Sequence, residues 1–176
     1  MPEKKKNILA LLEGADRRTI GCADQVVALV ADDPELFPEL IAGLWSQDPV
    51  LRMRAADAAE KATRTRCELL HPFKKELLGL MAEAQQQELR WHLAVIVPRL
   101  ILNDREREAA FSALNVYLKD RSSIVKTFAL QGLADLAENE PSLQPRVIEI
   151  LRGAIRNGTA AMKARSRKLL LQLERS

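Results

Sequence analysis

Four basic side chains that could bind phosphate recur at a nearly constant spacing. Arg52, Arg90, Lys126 and Lys163 each follow an apolar residue, and they are 38, 36 and 37 residues apart (90 − 52, 126 − 90, 163 − 126). A row of cations at a fixed repeat could contact successive phosphates of a polyanion. It could equally be a structural feature of a repeated unit, and the spacing alone leaves both interpretations open.

The other side chains capable of chemistry form no catalytic or metal-binding pattern. The two histidines, His71 and His92, have no cysteine or carboxylate at ligand spacing, which argues against a zinc or di-iron site. The sequence contains no nucleophile elbow, phosphate-binding loop or dinucleotide fingerprint. Carboxylate pairs such as Asp32-Asp33 are expected at turns or on solvated helix faces. We therefore expect a non-enzymatic protein without catalytic residues, metal ligands or a cofactor.

The composition favours a helical protein. Hydrophobic residues make up 47% of the 176 residues, charged residues 29% and aromatic residues only 4%, so Leu, Ala, Ile and Val must supply the packing. Cys22 and Cys67 fit no disulfide or metal pattern, and we expect them to be reduced and in or near the core. The chain lacks a signal-peptide pattern and a run of 18 apolar residues, so we expect a cytoplasmic protein that does not enter a membrane.

The net charge of +3 is unevenly distributed. Residues 141–176 contain eight Lys/Arg and two Glu, a net charge of +6, so the remainder sums to −3. This asymmetry is compatible with a polyanion partner. We favour the alternative that the last unit of a stacked array keeps a charged outer face for solubility.

These residues must be positioned by a two-helix unit that recurs about every 37 residues. Segments 34–41 (PELFPELI) and 141–148 (PSLQPRVI) share one proline-leucine pattern and lie 107 residues apart (141 − 34), close to three periods. Self-similarity at this period predicts stacked helix pairs rather than one closed core. The predicted pairs cover residues 3–31, 34–66, 71–102, 104–138 and 141–175.

Local signals define several helix ends. In the first pair we expect helices over 3–13 and 16–31. Asp48 followed by Pro49 predicts a helix start, because aspartate accepts from free amides and proline needs no hydrogen bond at the first position. Asp104 is expected to cap the first helix of the fourth pair. Pro98 should kink the second helix of the third pair or end it early.

The segment DPVLRMRAADAA at 48–59 resembles the second-helix signature of HEAT repeats. This resemblance implies an all-α fold, a right-handed α-solenoid of about five helix pairs in a single domain over 1–176. It also implies that the recurring basic residues connect adjacent units through hydrogen bonds to acidic groups such as Asp48, and we favour this role over phosphate binding. HEAT-like proteins are mostly scaffolds and binders, so the resemblance defines a fold more than a function.

In this architecture the second helices line the concave face. Residues one, five and nine places after the recurring basic positions lie on one helix stripe and predict a binding groove. Trp91 is the expected aromatic anchor, with burial between helices as the alternative. The predicted groove residues are Met53, Asp57, Lys61, Trp91, Val95, Arg99, Gln131, Asp135 and Lys168.

The mixed chemistry of this groove favours a protein or peptide partner. A nucleic-acid-binding protein similar to HEAT-like alkylpurine DNA glycosylases is a weaker alternative, because a nucleic-acid groove should be more continuously basic. A third alternative is an accessory protein of an enzyme, as some HEAT-like bilin lyases are. For stability, we expect Leu93 and Leu133 to be interface residues, and Arg54 and Lys61 to face solvent with little effect when replaced.

Overall fold

The computed structural model describes residues 7–16 and 18–175, and these residues form helices, turns and irregular segments without a β-strand. The all-α class is therefore confirmed. Among the described residues, no helix has both the length and the apolar character needed to cross a membrane. The α-helices are α1 (Ala23–Asp32), α2 (Phe37–Ala42), α3 (Pro49–Ala62), α4 (Lys74–Glu83), α5 (Gln87–Ile96), α6 (Asp104–Tyr117), α7 (Ser123–Ala137), α8 (Gln144–Asn157) and α9 (Ala160–Leu173).

The chain divides into two compact units, Met1–Leu69 and Leu70–Ser176, which we call unit 1 and unit 2. In unit 1, α1 and α2 both pack against α3, and alanines such as Ala55 and Ala59 allow the close approach. Helix α3 starts as predicted: the side chain of Asp48 accepts from the N–H of Val50 at 2.9 Å, and Pro49 is the first helical residue.

The first predicted helix pair is wrong in its described part. Only a 3-10 segment at Leu9–Leu12 forms where the first helix was expected, and the second helix, α1, begins at Ala23 rather than at residue 16. Residues 3–6 lie outside the described residues. Among the described residues between the two elements, the carbonyl groups of Glu13, Asp16 and Thr19 bond to a side chain of α3.

That side chain is Arg54, which is only 4% exposed, so the expectation that it faces solvent is wrong. Its Nη1 donates to the carbonyls of Leu12 and Glu13 at 3.0 and 2.8 Å, and its Nη2 donates to the carbonyl of Asp16 at 2.9 Å. Its Nε and Nη2 reach the carbonyl and hydroxyl of Thr19 at 3.2 and 3.3 Å. A guanidinium has five donors in a fixed plane, so this one side chain can bond to several backbone groups of the loop.

In unit 2 the second helices α5, α7 and α9 lie side by side, with α7 packed against both neighbours. Each first helix, α4, α6 or α8, packs against the second helix that follows it. This layering is what stacked helix pairs require. The number of repeats and the handedness of a superhelix stay predictions, as does a single repeat domain over the whole chain. Leucines 93, 114, 130, 133 and 151 are fully buried in unit 2, as expected for Leu93 and Leu133.

Helices α5 and α7 approach each other closely at Gly132. A Cβ atom built on Gly132 would overlap the carbonyl oxygen of Ala94 in α5. Glycine is therefore required here by backbone contact, since any side chain would push the two helices apart.

The boundaries of α5 and α6 test two further predictions. Helix α5 ends at Ile96 and continues as a 3-10 segment, Val97–Arg99, which confirms that Pro98 ends this helix early. Asp104 is not the cap of α6. Instead, Asn103 Oδ1 accepts from the N–H of Glu106, and Glu106 Oε2 accepts from the N–H of Asn103, both at 2.9 Å. This reciprocal capping box satisfies two free amides, which a lone aspartate at the next position would not.

The two cysteines are exposed and free, so the expectation of buried thiols is wrong. Cys22 lies in the turn before α1, and Cys67 begins the 3-10 segment Cys67–Phe73. Both positions are at element ends rather than on the apolar face of a helix, which explains their exposure.

Candidate functional site

Three of the predicted groove residues lie on α3 in unit 1. Met53 is 8% exposed, whereas Asp57 and Lys61 are half-buried. Lys61 Nζ lies 2.7 Å from Asp24 Oδ1 on α1 and 2.8 Å from Asp57 Oδ2. Burial opposes the charge of Lys61, but the two carboxylates outweigh burial and raise its pKa. Lys61 therefore joins α1 to α3, rather than facing solvent freely as predicted.

Three others lie on α5 and the 3-10 segment after it in unit 2. Trp91 is half-buried, with its ring centroid 5.7 Å from that of His92. Arg99 is also half-buried, whereas Val95 is 8% exposed. Met53 and Val95 thus support helix packing and offer little contact surface, which corrects their assignment to the groove. The second helices pack closely side by side, so more of their circumference is enclosed than the sequence pattern indicated.

The structure brings Gln131 and Asp135 together on α7. Gln131 Nε2 donates to Asp135 Oδ1 at 2.8 Å, and Arg165 Nη1 of α9 donates to Gln131 Oε1 at 2.9 Å. The Arg165 guanidinium also lies 5.7 Å from the ring centroid of Phe128. A hydrogen-bonded chain therefore runs from α9 across the seam to a carboxylate on α7.

This carboxylate lines a cavity of about 100 Å³ between α7 and α9, which we call the Asp135 pocket. Its walls combine apolar side chains with two amides and two carboxylates. The lining residues are Gln131, Ala134, Asp135, Glu138, Leu169, Gln172 and Leu173. Asp135 also lines a second depression, of about 220 Å³, with the loop that follows α5.

The surroundings of Asp135 raise the pKa of its carboxyl. Burial raises its pKa, and the nearby charge of Glu138 raises it further. The amide of Gln131 and the charges of Arg99 and Arg165 oppose this increase without cancelling it. A carboxyl whose pKa is raised by burial and a specific charged neighbour, and which lines a cleft, is a candidate for a binding site.

Lys168 lies apart from the pocket, exposed on α9. The residues that sequence reasoning missed are mainly Arg165, Leu169 and Leu173. Arg165 could have been found, because it lies two places after Lys163, as Arg54 lies two places after Arg52. Leu169 and Leu173 could not have been found in this way, because their helical spacing is the same as that of leucines that only pack against neighbouring helices.

Two of the four recurring basic residues, Arg52 and Arg90, have structural partners. Arg90 Nη1 lies 2.6 Å from Asp120 Oδ2 in the loop between α6 and α7, and Arg90 Nε donates to the carbonyl of Ala84 at 2.7 Å. Its guanidinium lies 5.2 Å from the ring centroid of Tyr117. Arg52 donates to the carbonyl of Ser46 at 2.8 Å. The role in joining adjacent helix pairs is therefore confirmed for Arg90.

The described residues do not include a group of three or more His, Cys, Asp or Glu side chains placed to hold a metal ion. The surface can supply hydrogen bonds, charge and apolar contact. Those are the interactions by which a protein recognises another molecule.

Comparison with known proteins gives information on the fold alone. No family model matches the chain, and no curated protein matches it. The chain is similar to a crystal structure of an engineered protein from the Northeast Structural Genomics Consortium, with 17% sequence identity and a TM-score of 0.62. The match covers 96% of this chain and 78% of that one. At this identity, the likeness shows a shared helical architecture and carries no function.

Proposed function

We propose that this protein is a non-enzymatic binding module that recognises a protein or peptide segment on the second helices of unit 2. The observation that carries the proposal is the Asp135 pocket, together with the half-buried Trp91 and Arg99 on the same row of helices. In this proposal the helix pairs belong to a right-handed α-solenoid of about five units, and the second helices form its concave face. That Asp57 and Lys61 of unit 1 also take part in binding stays a prediction.

The size of the pocket favours a side chain of a larger partner. Small-molecule sites usually enclose about 300–1,000 Å³, whereas the Asp135 pocket holds about 100 Å³. That volume is enough for part of one amino-acid side chain. A partner that inserts one side chain must obtain most of its affinity from contacts around the pocket, as protein and peptide ligands do.

The chemistry of the pocket fits a peptide segment. Ala134, Leu169 and Leu173 provide apolar contact, while Gln131 and Gln172 provide amides that both donate and accept. A peptide carries N–H, C=O and apolar groups at short intervals, so it matches such a lining.

Nucleic-acid binding is less well supported. Asp135 and Glu138 line the pocket, and a phosphate would be repelled by both carboxylates. Arg146 is one of the cations of residues 141–176, the segment with the net charge of +6. Its guanidinium donates two parallel hydrogen bonds, of 2.8 and 2.9 Å, to the carboxylate of Glu108. No feature supports the accessory-protein alternative.

The test is selection of binding peptides from a displayed random library, followed by affinity measurement on purified variants. We expect the double variant Gln131→Ala/Asp135→Asn to weaken the selected peptides at least about tenfold, a loss of about 1.4 kcal/mol. Arg105→Gln, an exposed position on α6, is the matched control and should leave the affinity unchanged.

Selected peptides that bind the double variant and the parent chain equally would place recognition elsewhere and contradict the proposal. Titration with duplex DNA at low salt distinguishes the alternative. Salt-sensitive DNA binding that survives the double variant would support a nucleic-acid protein instead.

A further inference from the structure

We propose that copies of this chain associate with one another, with the exposed face of α9 in one copy docked on the exposed face of α1 in another. This interaction surface goes beyond the proposed function, because it needs neither the Asp135 pocket nor its ligand. The two helix faces carry opposite charge, and the α9 face has exposed positions whose equivalents on α7 are covered by the next helix.

The α9 face is basic with one large apolar residue. Its exposed residues recur at intervals of three or four, so they lie along one side of the helix. Arg167 and Lys168 carry the charge, and Leu171 is 55% exposed. The remaining positions of this face are the exposed alanines Ala160, Ala161 and Ala164.

The internal repeat indicates that the α9 face lacks a neighbouring second helix packed against it. A shift of 37 residues (163 − 126) relates Gln131 and Ala134 of α7 to Lys168 and Leu171 of α9. On α7 these positions meet the following second helix: Gln131 accepts from Arg165, and Ala134 is 5% exposed. On α9 the equivalent positions are uncovered. Lys168 and Leu171 therefore occupy places where another second helix would pack.

The α1 face is acidic. Asp24, Gln25, Ala28, Ala31 and Asp32 are all exposed and fall on one side of the helix, away from its buried residues Ala23, Val26 and Val30. Asp24 is bonded to Lys61 of its own chain. Asp32 lies one turn beyond Ala28, on the same face. The face thus offers a small-residue surface with one carboxylate bonded to Lys61 at its start and a second carboxylate, Asp32, at its end.

Charge complementarity selects a second copy in this orientation. Two α9 faces in contact would bring arginine and lysine against the same residues, and two α1 faces would oppose aspartates. Among the pairings of these two faces, that of α9 with α1 joins opposite charges while it covers Leu171. Because the contact joins two different faces, its repetition builds closed rings or open arrays.

The expected contact is weak. Helix α9 has 14 residues and α1 has 10 residues, which correspond to lengths of about 21 and 15 Å at 1.5 Å per residue. One helix–helix contact of this length is at the lower end of interface sizes. Its exposed ion pairs should also be strongly screened by salt.

The experiment is sedimentation velocity of the full chain over a wide concentration range. At about 20 mM salt, the weight-average mass should rise continuously with concentration; at about 0.5 M salt, it should return towards the monomer, because the Debye length falls from about 20 Å to about 4 Å. A chain that stays monomeric at every concentration in low salt would overturn the proposal. The basic α9 face would then be available to an acidic foreign partner instead.

Charge reversal gives a sharper test. The variant Arg167→Glu/Lys168→Glu makes both faces acidic, and the variant Gln25→Lys/Asp32→Lys makes both faces basic. Each variant alone should associate at least about tenfold more weakly than the parent chain. An equimolar mixture should regain assembly, because each basic face again meets an acidic one.

The control variant is Lys75→Glu/Arg105→Glu, which makes the same change in net charge as the α9 variant at exposed positions on α4 and α6. It should assemble like the parent chain. Equal weakening by the control, or a mixture of the two reversed variants that stays monomeric, would overturn the assignment of these faces. Circular dichroism melts of all variants distinguish lost assembly from lost folding.

Discussion

Arg54 in unit 1 has a buried guanidinium and Arg90 in unit 2 a half-buried one, and the two bond to different partners. Arg54 bonds to main-chain carbonyls and a hydroxyl of the loop before α1, whereas Arg90 forms an ion pair with the buried Asp120. In unit 1 the arginine supplies hydrogen bonds to carbonyls that helical N–H groups would satisfy if this segment were a helix. In unit 2 it connects helix pairs that are already formed.

The difference shows that one residue type can either create local order or join ordered elements. The loop around Arg54 also requires Gly21, whose φ of 55° is left-handed and whose added Cβ would lie 2.9 Å from the guanidinium. The loop in unit 2 needs no such glycine at Asp120, because the carboxylate extends to meet Arg90. Unit 1 should therefore depend more on its arginine than unit 2 does.

The largest effect is expected for Arg54→Ala. Loss of several charge-assisted hydrogen bonds, each worth about 1.5–3 kcal/mol, should reduce the free energy of unfolding by about 4 kcal/mol. Urea unfolding with amide hydrogen exchange should locate the loss in the loop of residues 13–22 and in α1. Arg54→Lys should not rescue stability, because an ammonium lacks the planar fork of donors. Full rescue by lysine would show that charge alone is required.

Arg90→Ala should cost about 3 kcal/mol, because it leaves the carboxylate of Asp120 buried without its cation. The double variant Arg90→Ala/Asp120→Ala should recover much of that loss, since both partners are then absent. Arg54 has no single partner whose removal could do the same. A double variant as unstable as Arg90→Ala would show that the two residues act separately, and urea unfolding of the four chains measures this.

The effects of Arg54→Ala and Arg90→Ala on stability should differ in their dependence on pH. Burial opposes the ionisation of Asp120, but the N–H of Ser122 and the charge of Arg90 outweigh it and lower its pKa. A lowered folded-state pKa adds stability above the unfolded value of about 3.9, and this stability is lost as the pH falls through the folded pKa. The destabilisation by Arg90→Ala should therefore shrink between pH 5 and pH 3, as followed by urea unfolding at each pH.

The destabilisation by Arg54→Ala should stay nearly constant over the same range. Its partners are carbonyls and a hydroxyl, which do not titrate there. A parallel decline in both variants would mean that Arg54 also depends on a carboxylate.

The smallest effect is expected for Asp135→Asn. Burial raises the pKa of Asp135, so its charge opposes folding at neutral pH. Replacement by the neutral amide should stabilise unit 2 slightly, by up to about 1 kcal/mol. The gain should disappear as the pH falls through the raised pKa, because the parent residue then becomes neutral as well. A loss of stability at pH 7 would show that the carboxylate supports the fold.

The sequence predicted most of the helices, because apolar periodicity and turn residues are local signals. The start of α3 at Pro49 and the early end of α5 before Pro98 follow from proline geometry alone. The first helix pair was mispredicted for a non-local reason. Arg54 lies about 40 residues from the loop that it holds, and no local pattern reveals that contact.

The candidate site was predicted in part. Gln131 and Asp135 were found because they lie one turn apart on one helix, which spacing alone reveals. Val95 was misjudged because its exposure depends on how closely neighbouring helices pack. Leu169 and Leu173 were missed because apolar residues at helical spacing look alike whether they fill a core or border a cavity.

The contact of Gly132 with Ala94 has a consequence for recognition. With no side chain between the two backbones, α5 has little freedom to slide or rotate along α7. Trp91 and Gln131, one on each helix, are therefore held at a fixed separation before any ligand arrives. A bound segment that bridges these helices would lose little entropy in ordering its receptor, so its affinity would be set mainly by its own flexibility.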